Sequence, residues 1–155
     1  QRISECRILS EDVAAERIAW IRSMLEAARS LPLDAYEEFA EDPRNPAAAE
    51  SYFRRSIEAL LDLGRHILSK GFGIAAAEYK DIGMQLGRQG VISRQEELLF
   101  RKIAGYRNRM VHFYHEVSDE ELYQLCTKNA EDIETLLAAL IGWLQNHPEK
   151  VDQET

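Results

Sequence analysis

The amino-acid sequence predicts an all-α fold, a single antiparallel bundle of about five helices. Apolar residues recur at alternating spacings of three and four, the period of one helix face, in four long segments. Two Ser-x-x-Glu capping boxes, Ser93 with Glu96 and Ser118 with Glu121, mark helix starts. No segment alternates apolar and polar residues with a period of two, so we predict no β-sheet.

The first two long helices are delimited by capping and breaking residues. Ser10 is the predicted N-cap of the first helix, which Pro32 ends. A short helix or ordered loop is expected at 34–40. Asn45 and Pro46 are the predicted N-cap and first residue of the second long helix. The predicted core-facing residues are Ala14, Ile18, Ile21, Leu25 and Ala28 in the first helix, and Phe53, Ile57, Leu60, Gly64 and Ile67 in the second.

Three more helices complete the predicted bundle. A shorter one is expected at 78–89, and the other two begin at Ser93 and Ser118. Their predicted core-facing residues are Leu99, Ile103, Tyr106, Met110 and Phe113 in the fourth helix, and Leu122, Cys126, Asn129, Ile133, Leu136, Leu140 and Trp143 in the last. The resulting breaks between helices fall near residues 32, 45, 72, 91 and 117.

Composition predicts one globular domain, with 45% hydrophobic and 30% charged residues. We expect an N-terminal tail at 1–9, a helical domain at 10–147 and a flexible C-terminal tail at 148–155. No apolar run approaches the ~20 residues that span a bilayer, and no signal-peptide pattern is seen. Cys6 and Cys126 are too few and too far apart for a disulfide framework or a zinc site, which favours a reducing, cytoplasmic setting.

The charge distribution limits any nucleic-acid binding to a local basic patch. The formal net charge of −8 argues against general affinity for phosphate backbones. The fourth helix is nevertheless basic, with Arg94, Arg101, Lys102, Arg107 and Arg109. The last helix is acidic, and the simplest interpretation for most of these charges is pairing between neighbouring helices.

Residues 105–116 concentrate cations, an amide, two imidazoles and two phenols in a short stretch. If the helix continues through them, two sets of three side chains share a face: Asn108, His112 and His115 on one flank, and Arg107, Val111 and Tyr114 on the next. Arg107 and His112 are then about 140° apart around the helix axis. Both can meet a ligand that lies along the helix.

Each of these side chains also has a plain structural interpretation. Arg107 fits a surface salt bridge, His112 a half-buried histidine bonded to a carbonyl or to Asn108, and Tyr114 a packing or interface residue. Together they are harder to explain as scaffold. A zinc site is disfavoured because His112 and His115 have no further ligand nearby, and neither a hydrolase nucleophile nor a glycine-rich phosphate loop is recognisable.

The segment Arg107-Asn108-Arg109-Met110-Val111-His112-Phe113-Tyr114 resembles the Arg-x4-His-x-Tyr signature of the HepT-like toxins, a branch of the HEPN superfamily. The similarity extends from about Ser10 to Trp143. It includes three further segments, 54–64, 79–82 and 119–123. The resemblance implies a HEPN-like bundle that acts as a metal-independent ribonuclease, the toxin of a toxin–antitoxin pair. The implied partner is a small MNT-type nucleotidyltransferase antitoxin, which silences the toxin by attaching AMP to the motif tyrosine, here Tyr114.

The residues fit RNA cleavage through the 2′-hydroxyl, which needs a base, an acid and cationic support for the phosphorane. His112 is the expected proton-transfer group, Arg107 the phosphate clamp, and Asn108 a partner of the imidazole or the phosphate. Lys102 and Arg109 are candidates for lining the RNA groove. No metal or other cofactor is expected.

One chain supplies one well-placed motif histidine, so we predict a homodimer. An isologous two-fold dimer with facing motif helices brings two copies of His112 and two of Arg107 into one cleft. Two other functions remain open. The first is a non-catalytic HEPN module whose groove holds a nucleotide or a partner helix, and the second is a helical interaction domain without ligand chemistry.

Overall fold

The computed structural model describes residues 9 to 152 and confirms the all-α fold. In chain order the helices are α1 (Glu11–Arg29), α2 (Tyr36–Glu41), α3 (Arg44–His66), α4 (Tyr79–Arg88), α5 (Arg94–His112), α6 (Asp119–Gln124) and α7 (Ala130–Asn146). Two π-helical segments, Ile67–Gly71 and Leu125–Asn129, extend α3 and join α6 to α7. Short 3-10 turns occupy Tyr114–Glu116 and Pro148–Lys150. Every predicted break between helices corresponds to a break in the structure.

Helix α3 forms the centre of the bundle and packs against all six other helices. Its predicted stripe is fully buried, as are most residues predicted for the core faces of α1 and of α6–α7. The prediction for α5 was less accurate. Ile103 and Met110 are buried, but Phe113 is 45% exposed, whereas Phe100 belongs to the core. The four-three period therefore identified the buried faces, with errors near the end of α5.

The helix caps follow the sequence closely, with one difference. The Ser10 hydroxyl accepts the Val13 N–H, and both arms of the capping box at Ser93 are present. Ser118 Oγ accepts a backbone N–H in the same way at the start of α6. Helix α3, however, begins at Arg44 rather than after Asn45. The Asp42 carboxylate accepts the Arg44 N–H at 3.0 Å, while Asn45 donates its amide to a backbone carbonyl.

The two ends of the described chain meet. Residues Leu9–Ser10 (β1) pair in parallel with Val151–Asp152 (β2), although we predicted no β-sheet. A pair of two-residue strands shows no alternation that the sequence can reveal. The predicted helical domain, 10–147, therefore begins at the second residue of β1 and ends before β2. Most of the predicted N-terminal tail, Cys6 and the last three residues of the predicted C-terminal tail lie outside the described residues.

Helices α4 and α5 are in close contact at one end, where glycine is required. A Cβ at Gly83 would lie 2.6 Å from the Cβ of Phe100, and one at Gly87 would collide with the Glu97 side chain. Gly64 of α3 similarly faces Ile82. The backbones are closest near Gly83. Toward the start of α4 the two helices separate, and a groove opens there.

Candidate active site

A groove of about 690 Å³ lies between the start of α4 and the C-terminal half of α5. Arg107, Asn108 and His112, the predicted catalytic and supporting residues, all line it. We call it the α4–α5 groove, and its other lining residues include Arg65, Ala77, Tyr79, Lys80, Arg101 and Gly105. The three motif side chains therefore share one cavity, although two of them are a helix turn and a half apart in sequence.

Helix α5 contributes one continuous face to the groove. Arg101, Gly105, Asn108 and His112 follow each other at spacings of four, three and four, so they lie in one row along the helix. Asn108 and His112 are solvent-exposed at this edge. The same periodicity could have identified Arg101 from the sequence. Arg65 and Lys80, by contrast, come from α3 and α4 and carry no motif signal of their own.

Arg107 is held beneath the groove surface by two contacts. Its Nε and Nη2 donate to Glu58 Oε2 at 3.4 and 3.2 Å, and its Cζ lies 4.8 Å from the centre of the Tyr79 ring. The arginine side chain is 22% exposed. Glu58 is itself fixed by Arg54, which donates to its other oxygen at 3.1 Å. The guanidinium is thus oriented before any ligand arrives.

Tyr79 is flanked by two guanidinium groups. The Cζ atoms of Arg65 and Arg107 each lie 4.8 Å from its ring centre, within the range of cation–π attraction. Its hydroxyl donates to Asp62 at 3.2 Å. Burial raises the pKa of the Tyr79 phenol, and the Asp62 carboxylate raises it further. The phenol therefore stays protonated at neutral pH and acts as a hydrogen-bond donor.

Helix α5 ends at His112, so the faces predicted for a continued helix do not include Tyr114 and His115. Phe113 leaves the helical conformation with φ −131°, and the next three residues form a 3-10 turn. Tyr114 is 72% exposed and lies outside the groove lining, with its ring edge-on to that of His115. Its phenol is therefore open to solvent beside the groove rather than on the Arg107 face.

Lys102 and Arg109, the predicted groove-lining cations, instead face the acidic last helices. Lys102 Nζ lies 3.7 Å from Asp132, and Arg109 Nη2 donates to Glu121 at 3.0 Å. The Glu121 carboxylate raises the pKa of Arg109. A role for either side chain in RNA binding stays a prediction. This pairing is the charge complementarity between neighbouring helices that the sequence indicated.

The groove is cationic in an acidic protein. Arg65, Lys80, Arg101 and Arg107 line it together with one carboxylate, that of Glu78. Three of these cations have a carboxylate close by: Arg65 lies 3.7 Å from Asp62, Lys80 lies 3.1 Å from Glu78 and Arg107 lies 3.2 Å from Glu58. Arg101 therefore carries most of the uncompensated positive charge in the groove, in a chain whose formal net charge is −8. Helix α4 also begins at the groove, and its N-terminal dipole adds to the positive potential.

Two alternative chemistries find little support in the part of the chain that the structure describes. Between residues 9 and 152, no three His, Cys, Asp or Glu side chains come together as a metal site. Cys126 is buried among core residues, and burial raises the pKa of its thiol to about 11. At neutral pH the thiolate is therefore scarce, and a Cys126 nucleophile is disfavoured.

A family model described as "Ribonuclease HepT-like" matches residues 16–140, most of the chain. The chain belongs to the HepT-like ribonuclease family. This confirms the resemblance drawn from the motif and its flanking segments. Comparison of this HepT-like chain with the curated proteins finds no match.

Solved structures share the HepT-like chain's fold at low sequence identity. A tri-AMPylated Shewanella oneidensis HEPN toxin in complex with MNT antitoxin has a TM-score of 0.77 at 20% identity, covering 85% of this chain and 98% of that one. The cytosolic protein of unknown function YutE from Bacillus subtilis has a TM-score of 0.77 at 18% identity, covering 94% and 98%. A toxin–antitoxin crystal structure with AMP-PNP gives 0.76 at 20% identity, covering 84% and 98%. Within residues 9–152 of the HepT-like chain, no helix combines the length and hydropathy needed to cross a bilayer.

Proposed function

We propose that this HepT-like chain is a metal-independent endoribonuclease, the toxin of a toxin–antitoxin pair, with its active site in the α4–α5 groove. The observation that carries the proposal is the shared position of Arg107, Asn108 and His112 in one cationic groove of an acidic protein. Membership of the HepT-like ribonuclease family supports the same reaction class. Its RNA substrate gives it a cytoplasmic site of action.

The reaction uses the RNA's own 2′-hydroxyl. The 2′-oxygen attacks the adjacent phosphorus as its proton passes to a base, and the P–O5′ bond breaks as an acid protonates the leaving oxygen. The products are a 2′,3′-cyclic phosphate and a free 5′-hydroxyl. His112, exposed at the groove edge, serves as a proton-transfer group. Arg107 stabilises the charge on the phosphorane oxygens, and Asn108 orients the imidazole or the phosphate.

The active unit is a homodimer. Base and acid must act on opposite sides of the phosphorus, and each chain contributes one His112 to the groove. A two-fold arrangement with facing α5 helices supplies the second histidine. The exposed Val111 and Phe113, next to His112, provide apolar area for such a contact. Sedimentation of a monomer at concentrations where RNA is cleaved contradicts this assembly.

The partner is an MNT-type nucleotidyltransferase antitoxin that attaches AMP to Tyr114. The fold neighbours include a tri-AMPylated HEPN toxin bound to its MNT antitoxin, and the Tyr114 phenol here is exposed to solvent. Intact-mass measurement after incubation with the antitoxin and ATP is expected to show added AMP on wild type and less on Tyr114→Phe. Equal modification of both proteins contradicts the assignment of Tyr114.

Cleavage of single-stranded RNA in EDTA tests the activity directly. Wild type is expected to cleave, and Arg107→Ala and His112→Ala to lose roughly 100-fold or more, the scale for loss of a charge-stabilising or proton-transfer group. Helix content by circular dichroism must be unchanged, and Lys128→Ala, an exposed cation outside the groove, is the matched control. RNA binding by wild type without cleavage supports a non-catalytic HEPN module instead.

A further inference from the structure

We propose that the α4–α5 groove is a channel for one strand of RNA, whose backbone crosses Gly105 and whose neighbouring phosphate binds Arg101 and Lys80. This inference rests on the proposed function and adds to it the path of the substrate. None of these three residues belongs to the catalytic motif. Two features of the groove support the assignment: a glycine with open space beside it, and exposed cations from both α4 and α5.

Nothing in the part of the chain that the structure describes requires glycine at position 105. Gly105 lies in the interior of α5, where glycine is less stable than alanine. A Cβ built on it meets no other atom of the described residues within 4 Å outside its own helix turn, whereas Gly83 of α4 is required by Phe100. Gly105 lines the groove between Arg101 and Asn108. The missing side chain therefore leaves room for a ligand to approach the helix backbone.

The cations continue along the groove away from the catalytic motif. Arg101 is six residues before Arg107 in α5, which places their Cα atoms about 9 Å apart along the helix axis and about 120° apart around it. A smaller cavity of about 360 Å³ shares Lys80 and Arg101 with the groove, but Asp81 and Glu97 also line it, and Glu97 pairs with Arg94. The positive charge that a strand meets next to Arg107 is therefore that of Arg101 and Lys80.

Arg101 and Lys80 are available to bind phosphate. Arg101 is exposed and makes no ion pair within the described residues. Lys80 Nζ lies 3.1 Å from Glu78, but both side chains are largely exposed, so this ion pair is weak. Neither cation contributes to the core.

A single strand suits the groove better than a duplex. The major groove of an A-form duplex is deep and narrow, so the side chains that line this groove cannot reach the base edges of a duplex. Ala77, Ala104 and Gly105 also line the groove, and their small side chains leave room for a ribose or base.

Binding of a strand that cannot be cleaved tests the channel separately from catalysis. The probe is a fluorescein-labelled single-stranded RNA with 2′-O-methyl groups throughout, and fluorescence anisotropy gives Kd over a range of salt concentrations. Arg101→Ala is expected to weaken binding roughly tenfold, as for loss of a charged hydrogen bond. It also lowers the salt slope of log Kd by about 0.7, the value for one phosphate contact on a single strand.

Lys128→Ala is the matched control, because it removes one positive charge from an exposed side chain that does not line the groove. It is expected to keep the wild-type salt slope. An equal effect of Arg101→Ala and Lys128→Ala reduces the attraction to net charge and overturns the channel. So does failure of wild type to bind both the methylated RNA and a DNA strand of the same sequence.

Gly105→Ala supplies a second test, because it is expected to raise the stability of the fold and to lower the affinity for RNA. The variant is expected to unfold at higher urea than wild type and to bind the methylated strand roughly tenfold more weakly, because a methyl group intrudes on the ligand. Gly142→Ala in α7 is its control, since a Cβ there also meets nothing within 4 Å. It is expected to stabilise the fold and leave binding unchanged.

The outcomes separate the channel from the proposed function. If Gly105→Ala binds the methylated strand as tightly as wild type does, the channel is overturned. If Gly105→Ala sediments as a monomer where wild type is a dimer, the channel is also overturned, and Gly105 is assigned to a contact between two copies. If wild type cleaves unmodified RNA, and Arg101→Ala binds the methylated strand with wild-type affinity and salt slope, the nuclease proposal is supported and the channel is contradicted. If binding of the methylated strand depends on Arg101 but wild type does not cleave unmodified RNA, the nuclease proposal is contradicted and the channel is supported.

Discussion

Neutralising Glu58 is expected to strengthen RNA binding, because this carboxylate occupies Arg107 in the unbound protein. Glu58 Oε2 lies 3.2 Å from Arg107 Nη2, and the side chains are 26% and 22% exposed. In Glu58→Gln the amide oxygen still accepts the guanidinium hydrogen bond, and Tyr79 still stacks on it at 4.8 Å. The arginine is therefore expected to keep its position while its charge becomes fully available to phosphate.

The magnitude follows from the repulsion that is removed. A phosphate on the far side of the guanidinium lies about 6 Å from the Glu58 carboxylate, two charged hydrogen bonds in line. At that distance, repulsion between two unit charges is roughly 0.7 kcal/mol at the dielectric constant of water and roughly 2.8 kcal/mol at an effective value of 20. With both side chains partly exposed, ~1 kcal/mol is appropriate, which corresponds to about fivefold tighter binding.

Anisotropy with the methylated RNA strand measures this change, and urea unfolding measures its cost. The free energy of unfolding is expected to fall by less than about 1 kcal/mol, since a partly exposed ion pair contributes little. Glu50→Gln is the matched control: Glu50 binds Arg54 on the same helix and makes no hydrogen bond to Arg107. If Glu58→Gln weakens binding as much as Arg107→Ala does, Glu58 positions the arginine and the competition reasoning is refuted.

Two further predictions concern the fold that holds the groove. Gly83→Ala places a Cβ 2.6 Å from that of Phe100 and is expected to lower the free energy of unfolding by roughly 1–3 kcal/mol, the range for overpacking; an unchanged urea midpoint contradicts the close contact of α4 and α5. Burial lowers the folded-state pKa of His66, with Lys70 and Arg17 contributing, and its Nε2 accepts a backbone N–H of β1. As pH falls, the unfolded chain therefore protonates His66 before the folded chain does. In urea titrations, the free energy of unfolding of wild type is expected to fall relative to that of His66→Gln as pH falls through about 6.5. Parallel pH dependences of the two unfolding free energies contradict this.

Sequence reasoning located the helices because their signals are local. The hydroxyls of Ser10, Ser93 and Ser118 accept backbone N–H groups three residues ahead, so a cap is visible in four consecutive residues. A local pattern did not predict the start of α3 correctly, because two polar side chains that can accept a backbone N–H lie close together in the sequence there. At the start of α3 the N-cap is Pro43, and the Asp42 carboxylate rather than Asn45 accepts a backbone N–H of the first turn. Past His112, the period alone did not reveal that the helix stops.

The sequence by itself determined the all-α class, the buried stripes, the family and the motif residues of the candidate site, because each depends on spacing along one chain segment. Only the tertiary structure decided which other side chains surround that motif. Arg65 and Tyr79 come from different helices and reach Arg107 through packing that no local pattern encodes. Packing likewise decided which element each face of α5 meets, so that Lys102 faces Asp132 of α7 while Arg101 lines the groove beside α4.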